Sequence, residues 1–173
     1  MLDLPPQKTW VNILDLGAKG DGITDCTGIL EKSIANHDVI YFPIGKYLVS
    51  NTLVLGDKTT LIGFHPSQTQ LILKNETPGF IDAANAKPLI VAPKGASCSI
   101  TGVGFNFGSN PGLIGIKWTT GTNSYMNDIL YNERSDRSLI GKGQMHAVWI
   151  TADGGGIFKN IWINDRKQKW LFM

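Results

Sequence analysis

After residue 39 the chain alternates short apolar segments with clusters of Gly, Pro, Asn and Ser. The segments fall at 39–42, 47–49, 52–55, 60–64, 70–73, 88–91, 99–107, 113–118, 125–131, 147–151 and 157–163. Most have the length of strands, not helices, and β-branched and aromatic residues are frequent in them. One template recurs: apolar, two small or polar residues, then apolar-x-apolar. It is read at Ile100-Thr101-Gly102-Val103-Gly104-Phe105, Met126-Asn127-Asp128-Ile129-Leu130-Tyr131 and Phe158-Lys159-Asn160-Ile161-Trp162-Ile163, with starts 26 and 32 residues apart. Leu61-Ile62-Gly63-Phe64 is a partial copy. A solenoid explains such copies, because each turn adds the same strand to the same sheet and inward side chains stack on those of the next turn. An antiparallel β-sandwich would also be rich in short strands, so the pattern by itself leaves both open.

One helix is predicted, over Asp25–Asn36, where Cys26, Ile29, Leu30, Ser33 and Ile34 fall on one face. Thr24 or Asp25 would cap it, and a carboxylate there suits the helix dipole. In a solenoid this helix would cover the open N-terminal end.

Composition narrows the function classes. The net charge is +2 with 17% of residues charged, which gives no argument for nucleic acid or an acidic partner. Arg166, Lys167 and Lys169 read as a solvated tail. The 20 glycines and 8 prolines suit a chain that turns often and argue against a helical bundle. There is no long apolar run to span a membrane, and residues 1–6 lack the basic start and apolar core of a secretion signal. Cys26 and Cys98 form no C-x-x-C pair and read as small core residues.

The glycine-rich turn Gly17-Ala18-Lys19-Gly20-Asp21-Gly22 fits neither a dinucleotide nor a P-loop pattern, and Asp21 to Asp25 is too short for an EF-hand loop. Its glycines read as residues that allow positive φ in a tight reversal. No cofactor or metal is expected; His37, His65 and His146 are scattered without metal-ligand spacing.

Gly17, Ala18, Gly20, Asp21, Gly22, Thr24, Asp25 and Thr27, then Phe42, Pro43, Gly45 and Tyr47, then Leu61-Ile62-Gly63, resemble the opening of the pectate lyase superfamily domain. The resemblance is specific over residues 11–64, and the second Asp of the usual Asp-Asp pair is Cys26 here. It implies an all-β fold, a right-handed single-stranded parallel β-helix with one short N-terminal capping helix. It implies residues 1–10 as an N-terminal extension and 11–173 as a single β-helix domain, truncated at its C-terminal end. Within the superfamily the chain looks most like glycoside hydrolase family 55, the β-1,3-glucanase type. That implies carbohydrate as the substrate class and an extracellular or periplasmic location. In that family the catalytic groups lie farther along the solenoid than this chain reaches. The resemblance therefore implies the inactive N-terminal part of a glycoside hydrolase acting on a β-glucan-like polysaccharide. The alternatives are a non-catalytic glycan-binding or structural β-helix of tailspike or adhesin type, and a pectate-type lyase.

Glycoside hydrolysis usually needs two carboxylates about 5–9.5 Å apart, and lyase chemistry needs a base plus a cation. The later acids are Asp128, Glu133, Asp136, Asp153 and Asp165, and none stands beside another at a spacing that fixes a pair. Asp128 reads as a turn residue within the template. Trp118, Trp149 and Trp162 are candidates to stack on sugar rings. Trp162 lies between Ile161 and Ile163, which points it outward. Asp153, before Gly154-Gly155-Gly156, completes the candidate substrate-binding set. Expected partners are a polysaccharide or oligosaccharide, and a second copy or the missing C-terminal portion. Neither nucleic acid nor membrane is expected.

Overall fold

The computed structural model describes residues 3–132 and 146–164. Fourteen strands and one α-helix follow one another there: β1 (Val11–Asn12), β2 (Asp21–Asp25), α1 (Thr27–Asn36), β3 (Val39–Phe42), β4 (Gly45–Leu48), β5 (Leu53–Val54), β6 (Thr60–Gly63), β7 (Thr69–Ile72), β8 (Lys87–Ala92), β9 (Ser99–Thr101), β10 (Gly104–Asn106), β11 (Leu113–Trp118), β12 (Tyr125–Asn132), β13 (His146–Ile150) and β14 (Ile157–Asn164). Every pairing is parallel, and each strand pairs with the strand one turn earlier or later. The result is a parallel β-helix with three faces. The first face carries β1, β3, β6, β9 and the leading halves of β12 and β14. The second carries β2, β4, β7, β10 and the trailing halves of the same two strands. The third carries β5, β8, β11 and β13.

The core is a set of stacked columns. Ile40, Leu61, Ile100 and Met126 lie in register on the first face. Tyr47, Leu71, Phe105 and Tyr131 do so on the second, and Leu53, Ile90, Ile116 and Val148 on the third. All of these except half-buried Val148 are buried, and each buried apolar side chain contributes about 1.5–3 kcal/mol relative to exposure. The recurring template aligns residue for residue: Met126 pairs with Ile100 and with Phe158, and Tyr131 with Phe105 and Ile163.

The structure explains the template's polar third position. Gly102, Asp128 and Asn160 all have left-handed backbones, with φ of 67°, 49° and 50°. They form the corner between the first and second faces, and Gly, Asp and Asn are the residues that tolerate that region best. The apolar run 99–107 is accordingly two strands, β9 and β10, with the corner between them.

The helix begins at Thr27, two residues later than the apolar pattern suggested, because Asp21–Asp25 pairs with β4 as a strand. Cys26 holds the N-cap position, and Asp25 Oδ1 accepts the Thr27 N–H at 2.8 Å. Asp25 also accepts from the Ser50 hydroxyl, and Ser50 N–H donates to Thr27 Oγ1 at 2.8 Å, tying the first turn to the second. Thr24 is not a cap; its hydroxyl donates to Asp21 Oδ2 at 2.7 Å. Leu30 and Ile34 are buried, and the helix packs against β5, covering the third face of the first turn.

The two signature motifs meet in space. A Cβ on Gly45 would lie 2.9 Å from the Gly20 Cα, so neither position accepts a side chain without displacing backbone. Lys46 N–H donates to Gly20 O at 3.0 Å across the same contact. Tyr47 is buried, packs edge-on against Phe42 and donates its hydroxyl to Pro43 O at 3.0 Å. Cys26 and Cys98 are buried free thiols, as their apolar settings suggested.

Candidate functional site

Strand alternation puts every second residue of the first face outside. Tyr41, Ile62 and Thr101 form one such outward column, in register over three successive turns. They floor a cleft of about 480 Å³. Trp10, just before β1, closes one end, and its ring lies 5.5 Å from that of Tyr41. The Trp10 indole N–H donates to Pro5 O at 2.9 Å, which fixes the ring within the N-terminal segment. Phe64 and His65, following β6, line the cleft at the corner, and Asp128 and Trp162 extend it over the last two turns. Trp10, Tyr41, Ile62, Thr101, Asp128 and Trp162 come from six successive turns. The column of Tyr41, Ile62 and Thr101 continues in register with Asn127 and Lys159, whereas Trp162 is in register with Leu130 and Gly104, past the corner on the second face.

The polar groups are held in place. Asp128 Oδ2 accepts from Asn127 Nδ2 at 2.7 Å and Oδ1 from Asn160 Nδ2 at 3.0 Å. Asn160 also donates to Asn127 Oδ1 at 3.2 Å, so the corner residues of two turns form one network. His65 Nδ1 accepts the Ser67 N–H at 3.2 Å and lies 2.8 Å from the Ser67 hydroxyl. An accepting Nδ1 leaves the proton of the neutral ring on Nε2, a donor. The cleft therefore offers aromatic faces, one fixed carboxylate and one imidazole. Among the described residues, Asp128 is the one carboxylate that lines it. A two-carboxylate hydrolytic centre is not assembled there from described residues.

The four residues singled out from sequence are not brought together. Trp162 is 52% exposed and lines the cleft, pointing outward as its flanking isoleucines suggested. Trp118 is a correction: it is fully buried and belongs to the core. It shares strand parity with Ile116, whose side chain is inward, and its indole N–H donates to Gly155 O at 2.9 Å. It has no face to offer a sugar. Trp149 is half-buried on the third face, with Lys117 Nζ 5.3 Å from its ring centroid. Asp153 follows β13 and pairs with Lys94 at 3.0 Å, with both side chains exposed. Glu133, Asp136, Asp165, the basic tail and the His146 side chain lie outside the described residues.

Sequence reasoning missed Trp10, Tyr41, Phe64 and His65. Tyr41 was open to discovery, since it alternates with Ile40 and Phe42, both buried. Trp10 carried no local signal, because only the stacking of turns brings it beside residues far along the chain. Asp128 fills the corner role assigned to it, and its side chain also faces the cleft.

Comparison with known proteins adds a family and partial relatives. The family described as rhamnogalacturonase A/epimerase, pectate lyase-like, matches residues 10–170. A stretch covering 32% of the chain is 34% identical to the non-secreted LysM effector LysM19 of Penicillium expansum, spanning 6% of that protein. A stretch covering 31% is 40% identical to the pre-neck appendage protein of Bacillus phage phi29, again spanning 6% of it. The chain thus spans a small fraction of the length of the curated relatives it matches. Among solved structures, PfbA, a surface adhesin of Streptococcus pneumoniae, aligns with a TM-score of 0.44 and 15% identity, over 90% of this chain and 48% of that one.

Proposed function

The chain belongs to the rhamnogalacturonase A/epimerase, pectate lyase-like family, and from that premise we propose that its cleft holds a polysaccharide chain laid across the turns of the solenoid. The observation that carries this is the line of Trp10, Tyr41, Phe64 and Trp162 in one cleft beside Asp128 and His65. Sugar C–H surfaces stack on aromatic faces, and the carboxylate and imidazole are placed to bond ring hydroxyls. A cleft lined by residues of six successive turns suits an extended polymer better than a single sugar.

The catalytic form of this reading is a glycoside hydrolase on a β-glucan-like polymer, as the resemblance to family 55 implies. It requires carboxylates beyond those lining the cleft, supplied by the rest of a longer protein, at an extracellular or periplasmic location. The second reading is a non-catalytic binding or structural module, and the partial match to a phage appendage protein supports it.

The test is affinity electrophoresis and calorimetric titration with glucan oligosaccharides, on the wild type and on Trp162→Ala. Loss of one stacking platform should weaken binding about tenfold with the circular dichroism spectrum unchanged. Equal affinity in the variant, or no binding of any saccharide by the wild type, refutes the proposal. New reducing ends in the incubation would favour the hydrolase form, and ultraviolet-absorbing unsaturated products a lyase.

A further inference from the structure

We infer that the cleft selects an amino-sugar polymer, with free ammonium groups, over uronate and neutral glycans; this rests on the glycan-binding reading above. The argument is charge complementarity. Four aromatic rings line the cleft with a single carboxylate, and among its described lining residues there is neither Lys nor Arg. Aromatic faces attract a cation, Trp most strongly, and the attraction grows as the site is desolvated. The Asp128 carboxylate is fixed by two side-chain amides and has no ion pair among the described residues. A fixed carboxylate without an ion pair among the described residues, in a cleft that aromatic rings also line, is complementary to an ammonium group. It repels the carboxylates of a uronate polymer. Lys159 is the nearest cation in register, opposite Asn127 on the outward column, and it does not line the cleft.

The test compares four hexamers on the full chain by calorimetry: glucosamine, N-acetylglucosamine, β-glucan and galacturonate. Glucosamine should bind about tenfold more tightly than its N-acetylated form, with an affinity that falls as salt rises, and galacturonate should bind least. Asp128→Asn should erase the preference, bringing the glucosamine hexamer to the affinity that the variant shows for the N-acetylated one. The variant keeps the fold, because Asn160 occupies the equivalent corner of the next turn with the same left-handed backbone. Equal affinities for glucosamine and neutral hexamers, or a preference that survives Asp128→Asn, overturns the inference. If neutral hexamers bind and Trp162→Ala abolishes that, the glycan-binding reading stands and only the ammonium selectivity fails. If no hexamer binds, both fail.

Discussion

Tyr131 carries a buried hydroxyl with no hydrogen-bond partner among the described residues. The residue is 2% exposed, and its ring is stacked on Phe105 at 5.1 Å and packs against Phe107 at 5.9 Å. Burial pushes its phenol well above the usual tyrosine range. Tyr131→Phe removes the oxygen and keeps the ring, so the stack and the column from Tyr47 to Tyr131 stay filled. A hydroxyl buried without a partner costs about 1–3 kcal/mol. Its removal returns most of that, less a small loss of dispersion contacts from one missing atom. The expected net gain is about 1 kcal/mol. For a chain of this size that is roughly 2–4 °C in Tm.

The measurement is thermal unfolding followed by near-ultraviolet circular dichroism, paired with urea unfolding at neutral pH. The gain should raise the urea midpoint with the slope unchanged, since the surface exposed on unfolding is nearly the same. Phe105→Leu serves as the contrast; it removes a stacked ring at the same level and should cost stability. A loss of about 1 kcal/mol or more in Tyr131→Phe would refute the reasoning, because it would mean that the hydroxyl is bonded in the folded protein.

Two further perturbations test the first turn. Gly45→Ala places a methyl 2.9 Å from the Gly20 Cα and should cost about 1–3 kcal/mol by overpacking; thermal unfolding checks it, and an unchanged Tm would show that the two motifs are not in contact. Asp21 accepts the N–H groups of Ile23 and Thr24 and the Thr24 hydroxyl, which lower its carboxyl to about 2. A depressed folded value means that the contribution is present above the ordinary carboxylate range and is lost as the pH falls through the folded value. Asp21→Asn should therefore flatten the fall in stability between about pH 4 and pH 2, and an unchanged acid limb in urea titrations would sink the assignment.

Much of the interior was legible in the chain. The template at residues 100, 126 and 158 aligned in register because a stacked column needs like residues at like positions, and repetition records that directly. The outward setting of Trp162 followed from its two flanking isoleucines. The inward setting of Trp118 follows from the same rule, since it shares parity with Ile116; weighing tryptophan as a sugar-stacking residue ahead of its strand position led the other way. The helix start moved because Asp25 serves the strand and the cap together, and local apolar spacing does not resolve that competition. The cleft was legible least. It joins residues 10 and 162 through turns of unequal length, and only the three-dimensional stacking brings them into line.

The division between inward and outward positions also bounds what family membership says about ligand. The signature residues build the interior or the approach between turns: Gly20 against Gly45, Phe42 against Tyr47, and Asp25 across Thr27 to Ser50. None of these lines the cleft. The exposed lining residues beyond Gly63, namely Phe64, His65 and Trp162, lie outside the signature, at positions where a change of side chain leaves the buried columns intact. A fold fixed from inside thus leaves its binding face free to vary, and function resides in the site, not the scaffold. The pectate lyase-like interior therefore does not carry an acidic polymer with it as ligand. On the proposed reading the charge of the cleft lining decides that, and among the described residues the lining carries four aromatic rings and Asp128 as its one carboxylate. Reversing that sign, by Asp128→Asn together with Phe64→Lys at an exposed lining position, should turn the cleft toward uronate oligomers while the unfolding transition stays close to that of the wild type. A gain in uronate binding without loss of Tm is the result that separates the face from the fold, and a collapse of both would show that the corner network of Asn127, Asp128 and Asn160 belongs to the interior after all.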